Sequence, residues 1–173
     1  MNYEISKDGV KKRMRAIVIF YSLTNKTRLV SQVVADGLNA KLLEIKERKQ
    51  RTLNGSTYFW GGFAAITNKA SNINPTEVDL SQYDTVFIGS PVWASRPTPA
   101  INSFIYKTNF RNQGIVPFFT MAGDNADKAL ANIKTKISRS HGEVIGSFAI
   151  QSYGKTNDEI LAKAKEAIKS YAK

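Results

Sequence analysis

The chain has 173 residues, no cysteine, and a formal charge of +11 from 25 Lys and Arg against 14 Asp and Glu. A chain of this length reads as one domain that buries on the order of 70% of its unfolded surface, so a core forms without covalent staples. The missing cysteines exclude disulfides, thiolate catalysis and cysteine-held zinc or iron–sulfur sites, and no apolar run is long enough to span a membrane.

Residues 1–13 read as an N-terminal extension to a domain covering 14–173. The extension holds too few apolar residues to build part of the core. A short edge strand around Tyr3 to Ile5 and disorder are both open readings. It carries no apolar stretch before a cleavage site, so it is not a secretory signal, and a cytoplasmic location is expected. Basic residues are spread over Lys11 to Arg15, Lys46 to Arg51, Lys128 to Arg139 and Lys155 to Lys173. No aromatic-interleaved basic cluster points to nucleic acid. The preferred reading is a solvated basic surface, with docking of an acidic redox partner second.

Ala16 to Tyr21 is a near-continuous apolar run, which suits a strand buried on both faces. The chain then turns polar at Ser22, Thr24, Asn25 and Thr27. Leu29, Val30, Val33, Val34 and Leu38 follow at helical spacing, with Gly37 weakening the helix end. The polar residues therefore occupy a strand-to-helix turn. Hydroxyls and backbone N–H groups at a helix N-terminus serve either as a cap or as a phosphate site. The turn lacks the glycines of the nucleotide and dinucleotide loops.

Lys41 to Lys46 is expected as a second strand. The segment 47–82 is an insertion too long to be a structureless loop, and Phe59, Phe63 and Ile66 suggest a short helix in it. Its aromatics, including Tyr58 and Trp60, either seal one face of the sheet, which is the preferred reading, or form a lid or partner surface. Thr85 to Gly89 is the third strand. Thr98 followed by Pro99 marks a helix start with a side-chain cap. Ser90 to Pro97 is then a loop at a strand's carboxyl end, and its Trp93 either folds back on the core or stacks on a planar ligand.

Ile115 to Met121 is the fourth strand, although Pro117 lacks a ladder donor and is expected near the strand's first pairs. Ala122 to Asn125 forms a third polar loop. Leu130, Ile133 and Ile137 give the next helix its buried stripe, and Gly142 stops it. Val144 to Ile150 is the fifth strand. Thr156 and Glu159 form a capping box for the last helix, whose lysines are a solvated face. His141, the one histidine, sits at a helix end, where a dipole or capping role accounts for it. Alternating strands and helices imply a parallel sheet covered on both faces, with ligands at the strands' carboxyl edge. The loops after strands one, three and four lie on that edge.

Those three loops resemble the flavodoxin family from about Met14 to Ala172. Ser22-Leu23-Thr24-Asn25-Lys26-Thr27 is similar to the family's phosphate loop, with Asn25 where Gly is usual and Lys26 where Asn is usual. Asn tolerates left-handed geometry better than most residues. Ser90-Pro91-Val92-Trp93-Ala94 looks like its second flavin loop, and PVWASRPTP is similar to one flavodoxin-like subgroup, with Arg96 replacing a Lys. Gly123 and Asp124 match the third loop, but no aromatic follows where many relatives carry a stacking Tyr; Asp127 is near that position.

The resemblance implies an α/β three-layer doubly wound sandwich, a five-stranded parallel sheet in the order 2-1-3-4-5. It also implies FMN as cofactor, an electron-carrier function and redox partner proteins. Ser22, Thr24, Asn25, Lys26, Thr27, Ser90, Pro91, Val92, Trp93, Ala94, Gly123 and Asp124 are the expected FMN contacts. An FMN-dependent NAD(P)H:quinone-type oxidoreductase and a binding module without FMN are the alternatives. The second flavin face would be open, or covered by Tyr58, Phe59 or Trp60. A basic surround predicts a less negative potential for the last reduction step than in acidic relatives, because positive charge favours the anionic reduced flavin.

Overall fold

The computed structural model describes residues 3–5, 11–49, 71–111 and 113–172. The expected helix around Phe59 to Ile66, with Tyr58 and Trp60, lies outside the described residues.

The central strand β3 (Ala16–Phe20) is buried at every position. It pairs in parallel with β4 (Lys41–Glu44) on one side and with β7 (Thr85–Pro91) on the other. Next to β7 lies β8 (Gly114–Met121), and next to β8 lies β10 (Phe148–Gln151), again parallel. The path β10-β8-β7-β3-β4 is the expected order 2-1-3-4-5 read from the far edge. Four helices among the described residues cover it: α1 (Lys26–Leu38), α2 (Pro99–Lys107), α3 (Asp127–Arg139) and α4 (Asn157–Ile168).

Side-chain alternation along each strand divides the core in two. Ile17, Ile19, Val86, Ile88, Ile115 and Phe119 pack on one face with Ile101 and Phe104 of α2 and Ile133 and Ile137 of α3. Ala16, Val18, Phe87, Val116 and Phe118 pack on the other with Val30, Val34 and Leu38 of α1 and Ile160, Ala164 and Ile168 of α4. This is the three-layer sandwich. Close approach of α1 and α4 depends on Gly37, where a Cβ would stand 2.4 Å from the Ile168 Cδ1 atom. Gly37 therefore serves packing, and α1 ends one residue later, with Asn39 left-handed at φ 50°.

Several expectations are corrected. The second strand leaves the main sheet early: β5 (Lys46–Glu47) pairs antiparallel with β6 (Ile73–Asn74). The fifth strand is split. Its first part, β9 (Glu143–Val144), pairs with Gly114 and Ile115, and β10 pairs with Phe118 to Met121. Between them, Gly146 lies against the Tyr171 ring, where a Cβ would meet the phenol oxygen at 2.4 Å. Pro117 is mid-strand, opposite Ile88, rather than near the first pairs. On its other side it falls at the gap between β9 and β10, so its missing N–H costs no rung there.

Thr98 is the N-cap of α2 but makes no side-chain cap. The left-handed residue after α3 is His141, at φ 60°, rather than Gly142. Tyr3–Ile5 is a strand, β1, and among the described residues it pairs with β2 (Lys11–Arg13) alone, in a separate antiparallel ladder. The capping box at Thr156 and Glu159 is present in full. Among the described residues, no helix is long and apolar enough to cross a membrane.

Candidate functional site

Parallel strands end together, so the turns after β3, β7, β8 and β10 converge on one edge of the sheet. A cavity of about 580 Å³ opens there. Leu23, Thr24 and Lys26 come from the first turn, Pro91 to Ala94 from the second, Thr120 to Ala122 from the third, and Ser152 to Lys155 from the fourth. The volume falls in the range of small-molecule sites, roughly 300–1,000 Å³.

The first turn delivers the N-terminus of α1 to this cavity. Asn25 is the N-cap, left-handed at φ 63°, and caps no N–H with its side chain. An amide side chain tolerates that geometry better than a β-branched one would. Asn25 instead accepts from the Arg28 guanidinium through its Oδ1 atom. Ser22 Oγ accepts from the Arg28 N–H at 3.3 Å. Lys26 brings a cation to the cavity wall and donates to Asn157 Oδ1 at 2.9 Å, which ties the start of α1 to the start of α4. Thr27 lies beneath, 2% exposed, with its hydroxyl 2.7 Å from that of Thr120. A helix N-terminus plus a cation favours an anionic group.

The second turn is a tight hairpin. Trp93 N–H donates to the Arg96 carbonyl at 2.9 Å and Arg96 N–H to the Trp93 carbonyl at 3.0 Å. Ala94 and Ser95 between them are both left-handed, at φ 48° and 59°. Two positive φ values in succession define the mirror-image hairpin turn. Ser90 is fully buried and braces this loop: its Oγ donates to the Pro91 carbonyl at 2.9 Å and accepts the Thr98 N–H at 3.0 Å. The Thr98 hydroxyl lies 3.3 Å from the same oxygen and makes no cap to α2. Trp93 is half-buried. It packs on the core against Tyr21, as the first reading expects, and it also lines the cavity.

The third turn contributes Ala122 to this cavity. Gly123 is exposed, with nothing within 4 Å of where its Cβ would be. Asp124 faces a neighbouring cavity of about 260 Å³ with Asn125 and Asp127. Asn125 Oδ1 accepts the Asp127 N–H at 2.7 Å and so shapes the start of α3.

The structure thus brings Thr24, Lys26, Pro91, Val92, Trp93 and Ala94 together at one cavity. Ser22 and Asn25 shape the first turn, Thr27 and Ser90 brace the loops from below, and Gly123 and Asp124 stand to one side. Sequence reasoning missed Ser152, Tyr153, Gly154 and Lys155 entirely. Their only signal was position: they follow the fifth strand, so they share its carboxyl edge.

The sequence model of the flavodoxin family matches residues 15–147. No curated protein sequence matches the chain. Among solved structures, a Bacteroides uniformis protein assigned as a flavoprotein is 21% identical, with a TM-score of 0.75, over 91% of this chain and 99% of its own. A Lactobacillus acidophilus flavoprotein, solved in complex with FMN, is 22% identical, with a TM-score of 0.70, over 87% and 97%. Oxidised flavodoxin 2 of Bacillus cereus is 12% identical, with a TM-score of 0.58, over 91% and 97%. At these identities the likeness is one of fold.

Proposed function

This chain belongs to the flavodoxin family, and on that footing we propose that it is an FMN-binding redox protein that carries electrons between partner proteins. One observation carries the reading. The N-terminus of α1, with Lys26 beside it, and the Trp93 indole open into the same cavity of about 580 Å³. A phosphate and a planar ring system joined by a polar chain need that combination. The FMN complex of the Lactobacillus acidophilus flavoprotein, alike in fold, supports the same ligand class.

The residues present fit FMN. Ser22, Thr24, Asn25, Lys26 and Thr27 belong to the turn that would hold the phosphate. The exposed Thr24 hydroxyl, the α1 N–H groups and the Lys26 ammonium would be its donors, while Thr27 anchors the turn to Thr120. Pro91, Val92, Trp93 and Ala94 would pack on the ring system, on a loop that Ser90 holds in place. Gly123 and Asp124, expected beside the ring, stand outside the lining of this cavity. Bound FMN supplies electron storage; the polypeptide supplies affinity, exclusion of water and control of potential. Among the described residues, no Asp or Glu lines the cavity, whereas Lys26 and Lys155 do. That balance, with the net charge of +11, suits an acidic redox partner.

The test is titration of the flavin-free protein with FMN, followed by flavin fluorescence, beside Trp93→Ala. Saturable quenching that weakens in the variant is expected. Absence of binding in phosphate-free buffer would overturn the reading. Steady oxidation of NAD(P)H by the FMN-loaded protein without a reductase would replace the carrier with the oxidoreductase alternative.

A further inference from the structure

The fourth wall of the cavity is built from four residues that no motif announces: Ser152, Tyr153, Gly154 and Lys155. Both ends of this loop are fixed. At its start, Ser152 N–H donates to the Met121 carbonyl at 2.8 Å, and the Gln151 amide donates to the Ala122 carbonyl at 3.3 Å. These bonds stitch it to the third turn. At its end, Thr156 N–H donates to Glu159 Oε2 at 2.8 Å, and the Lys26–Asn157 bond holds the head of α4 against the head of α1. Gly154 makes the bend, at φ 70°.

On this fixed loop the one aromatic side chain is turned away from the core. Tyr153 is 77% exposed. Two other large apolar side chains among the described residues are comparably exposed, Tyr106 and Ile145, and neither lines a cavity described above. Tyr153 shares its cavity with Leu23, Val92, Trp93 and Met121, an apolar set with a second aromatic ring. An exposed tyrosine on a braced loop at the mouth of such a cavity has apolar area to bury and a hydroxyl that stays wet.

We infer that Ser152–Lys155 is a fourth ligand-binding loop, with Tyr153 as a second aromatic contact for the bound flavin nucleotide, supplied from the turn after β10. This rests on the FMN reading above. It also answers the lack of an aromatic after Asp124. The ring comes from the neighbouring turn, reached because β10 lies beside β8 in the sheet.

The experiment compares wild type, Tyr153→Ala and Tyr153→Phe in titrations with FMN and with riboflavin, and measures displacement of FMN by inorganic phosphate. Tyr153→Ala is expected to weaken both flavins roughly ten-fold, the size of one lost aromatic contact. It should also leave the bound flavin more fluorescent. Tyr153→Phe is expected to bind as wild type. The dissociation constant of phosphate for the flavin-free protein should be the same in all three. Tyr153 is 77% exposed, so circular dichroism should show the three folded alike.

If wild type binds FMN and Tyr153→Ala binds both flavins equally well with unchanged quenching, the inference is overturned while the FMN reading stands. Weakening of FMN alone, with riboflavin untouched, would also overturn it, because the contact would then be to the phosphate. Failure of wild type to bind FMN would overturn both.

Discussion

The Tyr21 ring stands edge-on to the Trp93 indole, with centroids 6.0 Å apart and planes at 90°. Tyr21 directly follows β3 and Trp93 follows β7, so this contact joins the first and second turns of the site. Beneath it, Tyr21 donates its hydroxyl to Glu47 Oε2 at 3.0 Å, and Glu47 Oε1 accepts from the Ser71 hydroxyl. Glu47 is 8% exposed. A buried carboxylate thus orients the ring on which Trp93 rests. Tyr21→Phe keeps the ring and removes one donor from that carboxylate, at an expected cost of about 1–3 kcal/mol. Urea unfolding measures it. Loss of FMN affinity in excess of the stability change would show that the hydrogen bond also positions Trp93.

The hairpin that presents Trp93 carries backbone strain in a residue that gains nothing visible from it. Ser95 has φ 59°. A non-glycine residue held there costs roughly 1–2 kcal/mol, and Ser95 is exposed. Ser95→Gly is therefore expected to raise stability by up to about 1 kcal/mol, the extra freedom of Gly in the unfolded chain offsetting part of the relief. Thermal unfolding reads the sign directly, and a lower midpoint would count against strain at this turn.

Gly89 is the opposite case. Its φ is unremarkable, and the constraint is space. A Cβ at this position would stand 2.4 Å from Cζ of Phe118 and 2.9 Å from Cβ of Phe20. Phe118 cannot swing away easily, because its ring stacks on Phe148 with centroids 5.1 Å apart. Gly89→Ala should destabilise by roughly 1–3 kcal/mol through overpacking. Because Gly89 sits two residues before Pro91, flavin affinity should fall with it. Denaturation and FMN titration of the same variant check the pair.

Much of this arrangement was legible in the sequence, and the limits are physical. The β3 run and the stripes of α1, α3 and α4 announce themselves because burial on a sheet or helix face imposes a period. The left-handed site at Asn25 was readable because few residues tolerate it. The split of the fifth strand was not, since it depends on Tyr171 arriving against Gly146 from the far end of α4. Nor was the position of Pro117, which is tolerated because that split leaves no rung to break. The bracing bonds of Ser90 and Thr27 beneath the loops were not readable, since a hydroxyl in sequence does not show what it will bond. Tyr153 was hidden for the converse reason: a tyrosine after a strand has no pattern until the sheet order places it beside the third turn.

At the head of α4 the capping box makes stability depend on pH. The Thr156 backbone N–H, then the Lys155 ammonium and the Thr156 hydroxyl, hold the Glu159 carboxyl below its ordinary value. A depressed pKa in the folded state means stabilisation that is complete above the unfolded carboxylate value, about 4.3, and lost as pH falls through the lower folded value. Glu159→Gln keeps the cap's hydrogen-bonding shape and discards the charge. The variant should therefore be less stable than wild type near neutral pH, and the gap should close in acid. A gap that persists unchanged at pH 3 would show that shape rather than ionisation carries the effect.

The charge of the cavity sets the last expectation. Lys26 and Lys155 line it, and no carboxylate among the described residues does. The fully reduced flavin is anionic, and positive charge beside it favours the product of the last reduction step. The potential of that step should lie above that of flavodoxins whose sites are acidic. Each lysine is partly solvated, so its share is modest, roughly 0.2–1 kcal/mol, and screened by salt. Lys155 is also shared with Glu159, at 3.2 Å, which reduces its share further. Lys26, held to a neutral amide partner, keeps its full charge for the ligand. Lys26→Ala should then lower the potential more than Lys155→Ala, and both shifts should shrink as ionic strength rises. Redox titration of the FMN-loaded variants at low and high salt decides it. Equal potentials in wild type and Lys26→Ala would mean that this cation acts on the phosphate alone.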